Sequence, residues 1–517
     1  MPGLLRRGCA PAIAALLVAC TSVNPVTGRR EVILMSEEQE QKIDEQASRE
    51  IEGQLGVARD PDLVAYVQAV GEAMAAHSPR KDVDYQFAVV EMEEPNAFAL
   101  PGGHVYVSRG LLTVANSESE LANVLGHEIG HVAARHAARQ EAHVKTLGIA
   151  TLLSDLMSGG APAPSDAERI SGHFVARYAR EQEREADRIG QDLAIAASVD
   201  PAGLGQFLRT LDNIARLSQG FSTPQTYFAT HPAARERMLE AAGRAQQHEW
   251  QSERPGPGLT REPTSLVEDR DRFLDHIEGM AVGRPASEGV FVDERFLHAD
   301  LGFSVRFPHG WTLSNENAQV LGRSPRGDGV VMLQLDSEGE DPRAAAVAYA
   351  QRESLQLESP ASIHVGGLPA FRAAAAVPTA TGRRFAEITW IAHRGHIYRL
   401  VAGIEPGSLP KYQGIFRKFA HSFRPLTEAD AHEITELRLR TVRAQPGESL
   451  ADLTARSRNE WDQVYTAVVN GLQVGAPPPP GFRVKVAVRE PYVASPPSPP
   501  APLDPSHSAT PGAGPAS

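Results

Sequence analysis

Two cysteines in 517 residues are too few for a disulfide framework. If Cys9 leaves with a cleaved leader, Cys20 is the one thiol of the mature chain, and no intrachain disulfide can form. Beyond Cys20 there is no apolar run of spanning length: the longest candidate, Leu147 to Met157, is interrupted by Thr151, Ser154 and Asp155. No compact basic cluster offsets a formal charge of −13 at pH 7. A surface of that sign repels phosphate backbones, which excludes nucleic acid as a partner. Repeat arrays are absent as well.

The N-terminus carries Arg6 and Arg7, an apolar segment from Ala10 to Val18, and Leu17-Val18-Ala19-Cys20. A charged start, a short apolar stretch and a lipobox predict a lipoprotein signal over residues 1–19, lipidation at Cys20 and a tether over 20–30. Loss of Arg6 and Arg7 takes the charge from −13 to −15. Thr21 after Cys20 resembles the pattern sorted to a Gram-negative outer membrane. More than one acyl chain at Cys20 gives stable attachment.

The strongest chemical signal is His127-Glu128-Ile129-Gly130-His131. Leu121, Val124, Leu125 and Val132 form an apolar stripe at helical spacing, and Ser117-x-x-Glu120 predicts a capping box ahead of it. On a helix, residues four apart share a face, so both imidazoles can reach one metal ion with Glu128 beside them. That is the geometry of a zinc hydrolase.

Two histidines leave zinc short of protein ligands. His136 is nearest in the chain, but five residues beyond His131 it turns to another face of a continuous helix. It also fails the H-E-x-x-H-x-x-G-x-x-H spacing, so it is expected to be solvated. A second helical stretch, roughly Ile170 to Ala197, contains Glu183 and Asp187, again four apart. One carboxylate can bind zinc while the other orients a ligating histidine. His127, His131 and Glu183 are therefore the expected ligands of one zinc per chain, with Asp187 behind them.

These residues also carry a family resemblance. Asn96-Ala97-Phe98-Ala99-Leu100-Pro101-Gly102-Gly103, the His127–His131 helix, Glu183 with Ala186 and Asp187, and Thr230-His231-Pro232 followed by Arg237 closely resemble the BepA/HtpX/CAAX-prenyl-protease class of zinc endopeptidases. Asn24 to Arg30 and Leu34 to Glu40 look like the start of its periplasmic members. The resemblance covers about the first half of the chain, roughly residues 24 to 245. It implies a gluzincin in envelope protein quality control, with misfolded or unassembled envelope proteins as substrates, on the periplasmic face of the outer membrane.

Glu128 is the expected general base, passing its proton to the leaving amine. Asp84 to Val90 and His104 to Val107 read as strands. Asn96, Ala97, Phe98 and Ala99 between them are the expected substrate-binding edge, which an extended peptide can join by backbone hydrogen bonds. Three roles stay open for His231: a latch filling the remaining zinc position, a donor to the oxyanion, or a helix cap.

Beyond the peptidase region, 31–250, the Pro- and Gly-rich stretch after Gln251 predicts a linker over 251–290. An α+β accessory domain is expected over 291–428, with strands at Phe303–Phe307, Val330–Leu335, Ile388–Ile391 and Ile397–Val401 and helices at Pro342–Glu358 and Leu409–Phe423. Residues 437–488 resemble a LysM module, a small βααβ fold that binds peptidoglycan-type glycans; a non-binding version is an equal reading. The Pro-rich residues 489–517 cannot bury a core and are expected to be disordered. The expected fold class is multidomain α+β: a mostly helical zincin-type domain with a small sheet, the α+β domain, the LysM-like unit and the tail. An alternative function is a chaperone-like or peptidoglycan-binding scaffold with little proteolysis, and dependence of activity on Glu128 separates the two.

Overall fold

The computed structural model describes residues 35–141, 180–217, 234–247, 266–316, 319–379, 382–404 and 409–494, with positions 21–23, 26, 28, 30–32, 227 and 231. The lipobox with Cys20, residues 251–265 and the tail beyond 494 lie outside the described residues. Two compact units are present, one within Met1–Pro285 and Glu436–Glu490, the other within Ala286–Thr435 and Pro491–Ser517.

The first unit opens with two capped helices. α1, Glu37–Leu55, starts at Ser36, whose hydroxyl accepts from Gln39 N–H while the Gln39 side chain accepts from Ser36 N–H. α2, Pro61–Ala75, has Asp60 as its cap and proline in its first turn. Three strands follow: β1 Gln86–Val90, β2 Ala97–Ala99 and β3 His104–Ser108, in the order β1-β3-β2. β1 runs parallel to β3 and β2 antiparallel to it, so β2 is an edge.

Helices then dominate: α3 Arg109–Val114, α4 Glu118–Ala133, α5 His136–Glu141, α6 Arg180–Ala196, α7 Gly203–Leu217, α8 Ala234–Gln247 and α9 Leu266–Ile277. Their shared core takes Val67 from α2, Leu121, Val124, Leu125 and Ile129 from α4, Phe207 and Leu208 from α7, and Phe273, Leu274 and Ile277 from α9. α4 is buried at every position, so it is enclosed on all sides rather than lying on the surface with one apolar face. Among the described residues no helix is long and apolar enough to cross a membrane.

α9 falls inside the stretch expected to be a linker. Its apolar residues Phe273, Leu274 and Ile277 follow the charged run Glu268-Asp269-Arg270-Asp271-Arg272, which hid a short helical face behind a polar composition.

The LysM-like segment has the expected βααβ order: β5 Thr435–Arg443, α10 Leu450–Ser457, α11 Gln463–Val469 and β6 Arg483–Pro491. It does not stand apart. A third strand, β4 Ala281–Val282, completes its sheet in the order β6-β5-β4, with Leu437 opposite Val282. Leu439 joins the helical core. β6 also carries regular structure to Pro491, past the expected start of the tail at 489.

The second unit is α+β. Seven antiparallel strands run in the order Thr312–Glu316, Gln319–Arg323, Gly329–Glu338, His396–Ile404, Gly382–His393, Leu368–Thr379 and Glu358–Val365. The helix Leu409–His421 supplies Tyr412, Phe416 and Phe419 to one apolar cluster with Leu333 and Leu400. The helix Pro342–Arg352 supplies Ala346 and Tyr349 to another with Trp390 and Ala373. That helix ends six residues short of its expected bound at Glu358, where the last strand of the sheet begins.

Candidate metal centre

α4 is launched by Ser117, which accepts from Glu120 N–H at 3.1 Å. The capping box is only half formed, because the Glu120 carboxylate accepts from Asn116 N–H instead. Along α4, Gly126 and Gly130 face α6. A Cβ on Gly130 would stand 2.9 Å from Ala186 O, and one on Gly190 of α6 would stand 2.8 Å from His127 N. Glycine is what lets the two backbones approach this closely, and the approach brings Glu183 to the histidines.

His127, His131, Glu183 and His231 are all buried and place one ligand atom each within 4.8 Å of one another. His127 Nε2 lies 3.0 Å from His131 Nε2 and 3.2 Å from His231 Nδ1. Glu183 reaches within 3.6 Å of His127 Nε2 and 3.5 Å of His131 Nε2.

The outer nitrogens decide where the protons sit. His127 Nδ1 faces Asp187 Oδ1 at 2.8 Å, so it carries hydrogen and leaves Nε2 bare. His131 Nδ1 meets His136 Nδ1 at 2.8 Å, and His136 Nε2 meets Glu185 Oε2 at 3.1 Å. The carboxylate can only accept, so His136 donates to it through Nε2. Burial lowers the His136 pKa and keeps the ring neutral, so its Nδ1 accepts from His131. His131 Nε2 is then bare too. The two nitrogens, 3.0 Å apart beside a carboxylate, then hold no proton between them, and His231 Nδ1 faces His127 Nε2 and Glu183 at 3.2 Å. Such a donor set fits a divalent cation, and two histidines with a glutamate are zinc ligands.

His136 thus corrects the sequence expectation. It is fully buried and holds the metal-facing histidine by its back. α4 stops at Ala133, Arg135 adopts a left-handed φ of 55°, and α5 restarts at His136, which swings the ring back toward His131.

Arg237 of α8, 1% exposed, is the residue that spacing alone did not reveal. Its Nε and Nη2 donate to Asp187 at 2.7 Å each, and Nη1 donates to Glu183. Burial would raise both carboxyls. His231 and Arg237 more than offset it at Glu183, and Arg237 and His127 do so at Asp187, so both pKa values fall. Burial holds His131 well below its ordinary value. His231 moves up, because Glu183 and Glu128 outweigh its burial.

Glu128 is 1% exposed, and its Oε1 has no hydrogen-bond partner among the described residues; His231 Nε2 stands 3.5 Å away. Burial raises its pKa, with His231 and His127 pulling the other way. A carboxyl raised in this manner holds a proton more readily than one in water, which suits a group that takes a proton and gives it back. Tyr227 stacks on His231 with centroids 4.7 Å apart. Asn96 is fully buried just before edge strand β2, and neither atom of its carboxamide is hydrogen-bonded among the described residues. Ala97 and Phe98 are buried, and Ala99 is half-buried.

Residues 61–245 match peptidase family M48, and that stretch contains every member of the buried cluster. The chain is 30% identical over 219 residues to the beta-barrel assembly-enhancing protease of Escherichia coli K12, covering 40% of this chain and 44% of that protein. It is 32% identical over 201 residues to the putative beta-barrel assembly-enhancing protease of Vibrio cholerae, covering 37% and 41%. The mitochondrial metalloendopeptidase OMA1 of Schizosaccharomyces pombe is 30% identical over 224 residues, covering 41% and 63%. The chain spans less than half the length of the two bacterial relatives.

Proposed function

We propose that this chain, which carries an M48 zinc metallopeptidase domain within residues 61–245, is an endopeptidase for misfolded or unassembled envelope proteins, tethered to a Gram-negative outer membrane through Cys20. The convergence of His127, His131 and Glu183 on one point, with the unbonded Oε1 of Glu128 alongside, is the observation that carries the activity. The bacterial relatives and the lipobox support the setting.

Zinc held by these three side chains supplies Lewis acidity toward a peptide carbonyl and toward water. Glu128 takes the proton from water as it attacks the carbonyl carbon, and returns it to the amine that leaves. Asp187 and His136 keep the two imidazoles aimed. Arg237 keeps Glu183 and Asp187 ionised. The substrate pairs as an extended strand with the edge of β2, and the Asn96 carboxamide bonds its backbone. His231 lies inside the ligand set, where it serves as a resting-state latch on the remaining position.

The test is a comparison of purified wild type and Glu128→Gln. Both should hold one zinc, and only the wild type should cleave unfolded casein. Equal cleavage by the variant sinks the reading.

A further inference from the structure

β6 reaches the start of the active-site helix through a buried amino group. Lys485 is fully buried, and its Nζ donates to the carbonyls of Thr113 at 2.8 Å, Val114 at 3.3 Å and Ala115 at 2.6 Å. These are the last carbonyls of α3 and the first of the link into α4. All three contacts of the amino group are to main-chain carbonyls. Burial and Arg270 pull the Lys485 pKa well down, with Glu120 opposing them. A free-standing βααβ unit would leave this side of β6 in water.

The neighbours extend the grip. Asn470, at the end of α11, clasps the Lys485 backbone with both ends of its carboxamide, accepting at 2.7 Å and donating at 2.9 Å. Arg270 of α9 donates to Asn470 Oδ1 at 2.9 Å through one nitrogen and to Asn116 Oδ1 at 2.6 Å through another. Asn116 N–H in turn donates to Glu120 at 2.9 Å. Residues 113–116 and 119 are therefore held by groups from α9 and β6, which Asn470 ties to each other. From Glu120, His127 is seven residues along a stiff helix, about 10 Å of rise.

We propose that residues 436–490 are a positioning element of the peptidase rather than an appended binding module, and that Lys485 is a positioning residue that sets where α4 presents His127, Glu128 and His131. The proposal rests on the peptidase reading given above.

The experiment uses the full-length protein and the variant Lys485→Met, which keeps the length of the side chain and removes the donor. Cobalt in place of zinc gives a visible absorption band that reports ligand geometry without any turnover. In the folded variant that band should shift, and kcat should fall by about tenfold or more, as sub-ångström misplacement of reacting groups does, with KM changed by less than about twofold. A folded Lys485→Met protein with the wild-type cobalt band and wild-type kcat overturns the proposal, as does a loss confined to KM. Should Lys485→Met fail to fold, Arg270→Lys decides. A lysine lacks the planar fork that spans Asn116 and Asn470, so the same changes should follow in smaller measure, and none at all overturns the proposal. Wild-type protein that binds no metal overturns the peptidase reading and this inference together; an active wild type with indifferent variants overturns this inference alone.

Discussion

His136 and His131 meet Nδ1 to Nδ1 at 2.8 Å across a break between two helices, and the far nitrogen of His136 rests on Glu185. The ligand's orientation and tautomer therefore depend on a residue that itself faces away from the metal position. Replacing His136 by phenylalanine should lower zinc affinity by about 10- to 100-fold, the usual cost of losing such a partner. Competition with a chromophoric chelator measures it, and unaltered affinity would mean that His131 is oriented by something else.

Arg237 is the sole guanidinium bonded to both buried carboxylates of α6 among the hydrogen bonds described. Arg237→Met leaves both without it, and breaking a buried pair from one side costs about 3–5 kcal/mol. Urea unfolding of the metal-free protein should register a loss of that order.

Gly190→Ala puts a methyl 2.8 Å from the backbone nitrogen of His127, where no flexible side chain can yield. α6 must shift away from α4, at about 1–3 kcal/mol for overpacking. Glu183 moves with it, so zinc affinity should drop along with the melting temperature. A variant that loses stability but keeps full affinity would show that the ligands tolerate the displacement.

His231→Ala distinguishes the roles open to that residue by sign. A latch, once removed, should raise basal casein cleavage, by roughly tenfold if resting enzyme is mostly closed. A steep fall in turnover at unchanged zinc content would instead mark an oxyanion donor.

His298, in the second unit, gives a pH dependence. Its Nδ1 accepts from Leu301 N–H at 3.3 Å, and burial brings its pKa down to about 4. The folded ring refuses a proton that the unfolded chain binds near pH 6.5, its ordinary value. Stability from this group is complete above that value and is lost as pH falls from there through about 4, by up to about 3 kcal/mol. Denaturation of the full chain across this window should show a shallower acid loss for His298→Gln than for the wild type; identical slopes would exclude the group.

What could be read from the sequence was whatever lies within one or two helical turns. His127 with His131, and Glu183 with Asp187, are pairs four apart, and helical geometry alone puts each pair on one face. The strands Gln86–Val90 and His104–Ser108 were legible from alternation, whereas the βααβ order of 437–488 followed only from the likeness to a LysM module. His136 was misjudged because spacing arguments assume an unbroken helix, and the left-handed turn at Arg135 has no glycine to announce it. Arg237 sits 50 residues from its partner Asp187, a separation that no periodicity encodes. α9 was hidden by charge, and some of that charge, Asp269 and Arg270, is buried against α4 and its approach.

The amino group that closes the end of α3 belongs to a residue 372 positions later in the chain than Thr113. Contacts this distant form last and slowly, because the intervening chain must be made and its ends brought together. A growing polypeptide holds the complete zinc-binding set well before it holds β6. The contacts that close the end of α3 are thus delayed until synthesis has passed Lys485, when every residue of 286–435 has already been made.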